Sequence, residues 1–407
     1  MKQQRDFLRL VAGQAVSAVG DGITRIAILW WAWEATASNA IVVFVALATV
    51  LPTLAAAPLA GWLVDRFPRR RLMLMADAVR VLTSAGLALA VWEDALNTPT
   101  VVAVAALAAI AAAVFDPALL ASVTMLVEEE QRISANSLLG GVVAVAGIAG
   151  PALGGVLVGA WGTGAALMAD AATFAVSFVF VVVSRIPDPE HVVSGAKDDD
   201  GGWTAGLQLL RSDRSIRDLV MVAAGLNLAV APIGVLIVSL AAGPLHLGGR
   251  GFGLLEASIP LGIVAGFIVA PKVAKGRRAA LVALLVTGAA IAVSGAWAMA
   301  AWAAVTFVAA GVGVGVTNTV LPARFQAGVE PSVQGRVFAL VGALGSAGRP
   351  LGLLAAAPLV TLVGVRGALA VCGVGLAVVA LAGRHGLAGG VGEPADALAL
   401  AEAVQPA

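Results

Sequence analysis

Apolar residues occur along this chain in long uninterrupted blocks, separated by short breaks that contain charged residues, glycine or proline. Most blocks are close to the roughly 20 residues that an α-helix needs to cross the hydrocarbon core of a bilayer. They do not alternate apolar and polar positions, as the strands of a membrane β-barrel do. The pattern therefore predicts an all-α integral membrane protein with twelve transmembrane helices. These helices are predicted to begin near Phe7, Ala40, Leu72, Pro99, Ser134, Gly162, Asp218, Arg250, Ala279, Ala300, Val333 and Val365.

The longest polar stretch, 187–217, divides the predicted helices six and six, which suggests internal duplication. In support, 115–118 reads FDPA and resembles 320–323, which reads VLPA. We therefore expect two pseudo-symmetric six-helix halves. The predicted boundaries are 1–186 for the N-terminal half, 187–217 for a central cytoplasmic loop, 218–386 for the C-terminal half and 387–407 for a disordered cytoplasmic tail.

The amino-acid composition excludes several classes of protein. Of the 407 residues, 60% are hydrophobic and 12% are charged, and the mean hydropathy is +0.97; a soluble domain is about 25% charged. Cys372 is the single cysteine and the three histidines are scattered, which excludes a disulfide framework and a Cys/His zinc site. The chain has no GxxxxGK[ST] phosphate loop. We expect no enzymatic activity, no cofactor and no metal.

The distribution of positive charge predicts the orientation. If the N-terminus is inside, nearly all of the 25 Lys and Arg residues fall on inner segments, as the positive-inside rule requires. The outer loops then hold only Arg250 and Arg366, and Arg25, Arg80 and Arg349 fall within the spans. We expect a multi-pass protein of the plasma (inner) membrane with both termini in the cytoplasm.

The predicted inner loop at 61–70 reads GWLVDRFPRR. Its arginines alone are explained as an inner anchor, but Asp65 is not. The segment resembles the GxxxDRxGRR signature of the major facilitator superfamily, with Pro68 where the family usually has glycine. The resemblance implies a cytoplasmic gate in which this loop locks the two halves together. By the same resemblance, the gate residues are Gly61, Asp65, Arg66, Arg69, Arg70, Asp77, Arg80 and Arg336.

A second motif lies at 147–155, in the fifth predicted helix, and reads GIAGPALGG. It is similar to the GPxxGG core of the motif that marks antiporters of this superfamily, although the upstream places at Ser137 and Ala146 lack the family's glycines. Simple close packing of small residues is the alternative interpretation. The motif residues are Gly147, Gly150, Pro151, Gly154 and Gly155.

Taken together with the segments at 20–21, 77–80, 115–117 and 334–337, the chain resembles the branch of the superfamily that exports macrolides and siderophores. This resemblance implies a secondary transporter that exports small molecules by proton antiport with alternating access. A proton-coupled importer or symporter of the same fold, or a membrane receptor without transport, are the alternatives. We expect protons, a small-molecule substrate and the lipid bilayer as partners, no nucleic acid, and a monomer.

Charged residues inside a span are costly, so each one is a functional hypothesis. Asp21 and Asp116 are the candidates for proton coupling. Asp21 has an alternative role, because Arg25 lies four residues on and can pair with it on one helix face. Asp170 and Glu256 are expected nearer the outer surface, where they are solvated. The candidate cavity or substrate residues are Arg25, Asn227, Glu256, Asn318 and Arg349.

Arg349 stands next to Pro350 in the middle of a predicted span, where an unpaired guanidinium is very costly. We expect it to pair with Asp21, with Asp116 or with an anionic substrate.

Overall fold

The computed structural model describes residues 2–187, 214–273, 278–328 and 345–384, and within these ranges the chain is helical with short turns and no strands. An N-terminal helix set precedes the polar stretch. It consists of α1 (Lys2–Thr36), α2 (Asn39–Arg66), α3 (Arg69–Trp92), α4 (Thr98–Leu126), a short 3-10 turn (Glu129–Gln131) and α5 (Arg132–Val183).

A C-terminal helix set follows the polar stretch. It consists of α6 (Arg214–Val230), α7 (Ile233–Ala242), α8 (Gly249–Val273), α9 (Ala279–Val293), α10 (Ala300–Gly328) and α11 (Gly348–Ala382). Among the described residues, eight helical stretches are long and apolar enough to cross a membrane. The start of the helix predicted at Val333, most of the central loop and the C-terminal tail lie outside the described residues.

Two helices reverse direction at a glycine. α5 has non-helical backbone at Gly162, with φ of 81°, and α11 has it at Gly364, with φ of 71°. This backbone region is accessible essentially to glycine alone. Before Gly162 the chain runs beside α1 in the same direction as α1. After Gly162 it runs beside α1 in the opposite direction, because Gly13 lies near Phe180 while Gly20 lies near Thr173. The Gly162 region therefore joins two antiparallel arms, here named α5a (132–161) and α5b (163–183).

α11 folds in the same way. Its first arm, α11a (348–363), runs beside α6, since Gly348 approaches Ala224 and Gly352 approaches Leu228. Its second arm, α11b (365–382), returns, and Val379 lies against Gly225 of the same α6 helix. The predicted starts near Gly162 and Val365 thus correspond to these two reversals.

Most other predicted starts also agree with the structure, and local chemistry explains some of them. α4 begins where the Asn97 side chain accepts a hydrogen bond of 3.0 Å from the Thr100 backbone N–H, and Pro99 occupies the first turn. The predicted seventh helix differs, because it breaks into α6 and α7 at a turn over residues 231–232. Pro232 lacks a backbone N–H and cannot continue the ladder of α6.

The surface of the helix bundle is apolar. Leu82, Ile268 and Leu362 are exposed by 72, 69 and 79%, and many other aliphatic residues on the outer helix faces are similarly exposed. A soluble protein rarely presents apolar surface on this scale. The exposed belt therefore suits contact with lipid tails, whereas charged side chains such as those of Asp77 and Asp170 are buried inside the bundle.

Small residues allow neighbouring helices to approach closely. In the C-terminal helix set, Gly262 of α8 meets Gly311 of α10, and Gly266 meets Gly315 one turn further along. A Cβ atom added at Gly262 or Gly311 would lie 2.1 Å from a backbone carbonyl oxygen of the other helix. This is the small-residue packing that drives association of membrane helices, where apolar side chains alone give no preference over lipid.

Candidate functional site

Two cavities in the helix bundle are lined by charged residues of the predicted spans. The first, here named the acidic cavity, has a volume of about 510 Å³ and is lined by α1, α4 and α5a. Asp21 and Asp116 face it together with Gln14 and Arg25. The two aspartates selected for proton coupling are therefore neighbours in one water-accessible space, although they are far apart in sequence.

Asp21 forms an ion pair with Arg80 of α3, not with Arg25. The Arg80 side chain is only 4% exposed, and Asp77 lies on its other side at 3.8 Å. Its guanidinium group stacks at 3.8 Å over the ring of Phe174 in α5b. Arg80 therefore contacts a cavity residue on one side and a buried residue on the other, because Asp21 is half exposed while Asp77 is fully buried.

Behind Arg80, α3 and α5b exchange two aspartate–serine hydrogen bonds. Ser177 of α5b donates to Asp77 at 2.8 Å, and Ser84 of α3 donates to Asp170 at 2.6 Å. Asp170 also accepts a hydrogen bond of 2.7 Å from Thr24 of α1. The expectation that Asp170 is solvated near the outer surface is therefore wrong, since it is completely buried. It lies about 12 Å along α5b from the reversal at Gly162, at 1.5 Å per residue.

Sequence reasoning missed the serines of this network, although a signal exists. In each helix a serine follows an aspartate by about two turns, which places both on the same helix face. The pairs are Asp77 with Ser84 on α3 and Asp170 with Ser177 on α5b. Because the helices are antiparallel, each aspartate meets the other helix's serine.

The charges of this region do not balance. Asp21, Asp77 and Asp170 lie within electrostatic reach of the one guanidinium of Arg80, and Asp116 interacts with Asp21. One Asp77 oxygen, Oδ1, has no hydrogen-bond partner among the described residues. Excess carboxylates in a medium of low polarity can be neutralised by binding protons.

The second cavity, here named the central cavity, lies between the two helix sets and has a volume of about 440 Å³. Arg25 of α1, Glu256 of α8 and Arg349 of α11 line it, together with Asn227 of α6. Arg25 lies 3.8 Å from Glu256, which is 7% exposed. The expectation that Glu256 is solvated near the outer surface is therefore wrong. About 9 Å of helix separates it from Arg250, the arginine predicted in the outer loop. Arg25 also lines the acidic cavity, so the two cavities meet at this residue.

Two candidate residues occupy other surroundings than expected. Asn318 is exposed on α10 and is not among the residues that line these two cavities. Arg349 forms no ion pair with a described residue, and Asp21, one of its expected partners, is occupied by Arg80.

The glycines at 147–155 form a seam between the helix sets. Gly150 and Gly154 pack on α1, whereas Gly155 packs on Gly253 of α8, where an added Cβ atom would lie 2.8 Å from the Gly253 Cα atom. Gly147 is packed more loosely, because a Cβ atom added there would lie 3.6 Å from the Pro260 side chain. Trp30 stacks on Phe252 nearby, with ring centroids 6.0 Å apart, and Ser239 of α7 donates a hydrogen bond to Asn39 of α2.

The segment 61–70 is the end of α2 and the start of α3, with only Phe67 and Pro68 between the two helices, and it lies at the membrane face where α1 begins. Arg69 donates to the Ala121 carbonyl at 2.7 Å, and Arg70 donates to the Val182 carbonyl at 2.7 Å. These bonds tie the start of α3 to α4 and α5b. Asp65 and Arg66 are exposed, and Gly61 has open space beside it.

Asp77 and Arg80, expected at this gate, lie in the buried network instead. Arg80 is about 16 Å along α3 from Arg69 at 1.5 Å per residue, which removes it from the loop. Arg336, the remaining gate candidate, lies outside the described residues.

Comparison with known proteins agrees with this architecture. Residues 10–353 match the family model of the Major Facilitator Superfamily. The chain is 25% identical over 370 residues to macrolide efflux protein A of Streptococcus pyogenes, covering 88% of this chain and 90% of that protein. It is 29% identical over 388 residues to the multidrug efflux pump Tap of Mycolicibacterium fortuitum, covering 89% and 91%.

Solved structures share the fold. A bacterial homologue of the iron transporter ferroportin, in an inward-facing state, superimposes with a TM-score of 0.73 at 14% identity and covers 94% of this chain and 99% of its own. A bacterial homologue of the human lysosomal transporter Spinster gives 0.70 at 14% identity, covering 95% and 97%. The family match extends over most of the helices that build both cavities, and the chain belongs to the major facilitator superfamily of membrane transporters.

Proposed function

We propose that this protein exports small organic molecules from the cytoplasm in exchange for protons. The observation that carries the proposal is the junction of the two cavities at Arg25. One cavity contains carboxylates in excess of their cations, as a proton site requires, and the other lies between the helix sets, as a substrate site requires. Both full-length relatives named above are efflux proteins, one for macrolides and one for multiple drugs.

The proposed architecture has twelve spans in two six-helix halves, 1–186 and 218–386. The reversals at Gly162 and Gly364 each join two spans and support this count. We further propose a monomer in the plasma membrane with both termini in the cytoplasm, an orientation that the positive-inside rule supports.

The proposed mechanism is alternating access, in which the halves rock about the central cavity. Asp21 links the proton to this motion. When Asp21 is ionised it pairs with Arg80; when it is protonated, the pair weakens and Arg80 interacts with Asp77 and Asp170 alone. Asp116 faces the same cavity and is the second candidate carrier. A shift of the Arg80 charge within the helix bundle alters the packing of α1 against α3 and α5b, and so biases one conformation over the other.

The glycine seam between Gly155 and Gly253 supports the antiport interpretation of the motif at 147–155. Two backbones in direct contact slide or separate without displacing side chains. We propose the segment 61–70, at the cytoplasmic membrane face, as the cytoplasmic gate.

The first experiment measures the accumulation of macrolides, dyes and siderophores in cells that lack their major efflux pumps. Expression of the protein is expected to lower the accumulation of at least one compound, and a proton uncoupler is expected to restore it. A matched strain that expresses the Asp21→Asn variant controls for membrane overexpression.

Other outcomes discriminate the alternatives. Raised accumulation that the uncoupler abolishes would favour a proton-coupled importer of the same fold. If no compound changes in either direction, while the protein is present at the membrane, export of these three classes is excluded.

A further inference from the structure

The central cavity has an unbalanced positive charge among its described residues. Its charged lining consists of Arg25, Glu256 and Arg349. Arg25 and Glu256 lie 3.8 Å apart and neutralise each other. Arg349 enters from α11 and has no described carboxylate within ion-pair distance, so its guanidinium group is the excess charge.

Apart from Thr49 and Asn227, the rest of the wall is apolar. A guanidinium group exposed to a cavity of this kind attracts an anion more strongly than it would in bulk water, because the effective dielectric constant beside protein is lower than that of water. Its planar fork matches the geometry of a carboxylate. The aliphatic wall opposite and around Arg349 includes Ile28, Leu29, Val50, Ile233, Ile259 and Leu353.

We propose that the central cavity binds an amphipathic organic monoanion, whose carboxylate pairs with Arg349 and whose apolar body lies against the aliphatic wall. This inference rests on the proposed transport function, which it deepens by naming the charge class of the substrate. The cavity volume of about 440 Å³ lies in the range of small-molecule sites.

A single negative charge fits better than two. Glu256 already opposes Arg25, so a second anionic group near that pair would meet a carboxylate as well as a guanidinium. Asn227 offers neutral hydrogen bonding instead. Its amide nitrogen donates to the Ala223 carbonyl at 3.0 Å, which leaves its side-chain oxygen as an acceptor for a ligand hydroxyl or N–H.

The test compares three fluorescent probes that share a dansyl sulfonamide group: N-dansyl-leucine, its methyl ester, which differs from the acid only at the carboxyl group and lacks the negative charge, and the cation dansylcadaverine. The full-length protein is placed in nanodiscs of phosphatidylcholine, which carry no net lipid charge. We expect the acid to bind at least about tenfold more tightly than its ester, a factor that corresponds to about 1.4 kcal/mol. The cation is expected to bind most weakly.

The variants locate the preference. Arg349→Gln is expected to bind acid and ester equally, whereas Arg349→Lys retains part of the preference because it keeps the charge but not the fork. Arg366→Gln is the matched control, since Arg366 is an exposed arginine on the same helix beyond the reversal at Gly364. Size-exclusion chromatography checks that each variant is folded.

The proposal is overturned if the ester or the cation binds as tightly as the acid, or if Arg349→Gln keeps the preference while folded. Because binding needs no proton gradient, this result is independent of the export experiment. Acid-selective binding without uncoupler-sensitive efflux would reject proton-driven export alone, whereas uncoupler-sensitive export of cations without acid-selective binding would reject the anion site alone.

Discussion

The two helix sets share a backbone plan but differ in what holds them together. Gly150 and Gly352 precede the reversing glycines Gly162 and Gly364 by the same distance along the chain. Gly150 packs on α1 at Gly22, and Gly352 packs on α6 at Leu228. Each set thus folds a helix back on itself and lays its first arm against the set's first helix.

The interiors of the two sets are different. The N-terminal set buries Asp77, Arg80 and Asp170 behind Asp21, whereas α9, which follows α8 as α3 follows α2, contains no charged residue. Asn227 stands just before Leu228 as Asp21 stands just before Gly22. Close glycine contacts occur in both sets, at Gly22 with Gly150 and at Gly262 with Gly311, so the sets differ in the buried ion network and not in this packing.

Two helix sets with similar backbones can therefore have different roles in transport. In the proposed mechanism, ionisable groups in the N-terminal set respond to protons, and the C-terminal set, with no ion network among its described residues, moves as a packed unit. Variants that change one set and leave the other intact test this division.

Replacing Arg80 by Gln is expected to have the largest effect. It leaves Asp21, Asp77 and Asp170 around a site that has lost its cation, and breaking a buried ion pair in this way costs about 3–5 kcal/mol. The measurement is the melting temperature and the yield of monodisperse protein in detergent. Arg349→Gln is the matched control in the C-terminal set and is expected to change stability by no more than about 0.5 kcal/mol. Equal losses in both variants would contradict the division.

Replacing Asp21 by Asn is expected to abolish uphill transport while downhill exchange and folding remain, because the side chain keeps its shape and loses its titratable proton. The measurement is substrate flux in proteoliposomes with and without an imposed proton gradient. Asp94→Asn, at an exposed turn with positive φ, is the control. Full pumping by Asp21→Asn would exclude Asp21 as the essential carrier.

A double variant tests whether an aspartate in the C-terminal set can replace Asp21. In Asp21→Asn with Asn227→Asp, an aspartate stands in α6 but α9 supplies no cation comparable to Arg80. We expect no recovery of uphill transport in the same flux assay. Recovery would show that the two sets are interchangeable.

Replacing Gly311 by Ala is expected to destabilise the C-terminal set by about 1–3 kcal/mol, since the added methyl group overlaps a backbone carbonyl of α8. Thermal unfolding measures this loss. Gly375→Ala is the matched control, because no atom lies within 4 Å of its added Cβ atom. Similar melting temperatures for the two variants would show that the glycine contacts do not hold α8 and α10 together.

The smallest expected difference between the two sets concerns the feature that they share, the reversal at a glycine. Gly162→Ala and Gly364→Ala both place a Cβ atom on strained backbone with positive φ, at a cost of order 1–3 kcal/mol each. Neither added Cβ atom meets a neighbour. We therefore expect the two losses in thermal stability to be equal, and a large difference between them would break the equivalence of the reversals.

The helices, most of their starts and the family follow from the sequence, because lipid imposes a length and a composition on every span. The motif at 147–155 was likewise visible as spaced glycines. Such features lie within one segment of the sequence, so they are recognisable without knowledge of the segments that pack against it.

The partners of the charged residues were decided by tertiary structure. Spacing along a helix brings Arg25 within reach of Asp21, and that pair was one of the two interpretations of Asp21 that the sequence allowed. Packing instead presents Arg80 of α3 to Asp21 and Glu256 of α8 to Arg25. Sequence periodicity specifies which residues share one helix face, but which faces meet depends on the close fit of glycines and side chains from segments far apart in the chain.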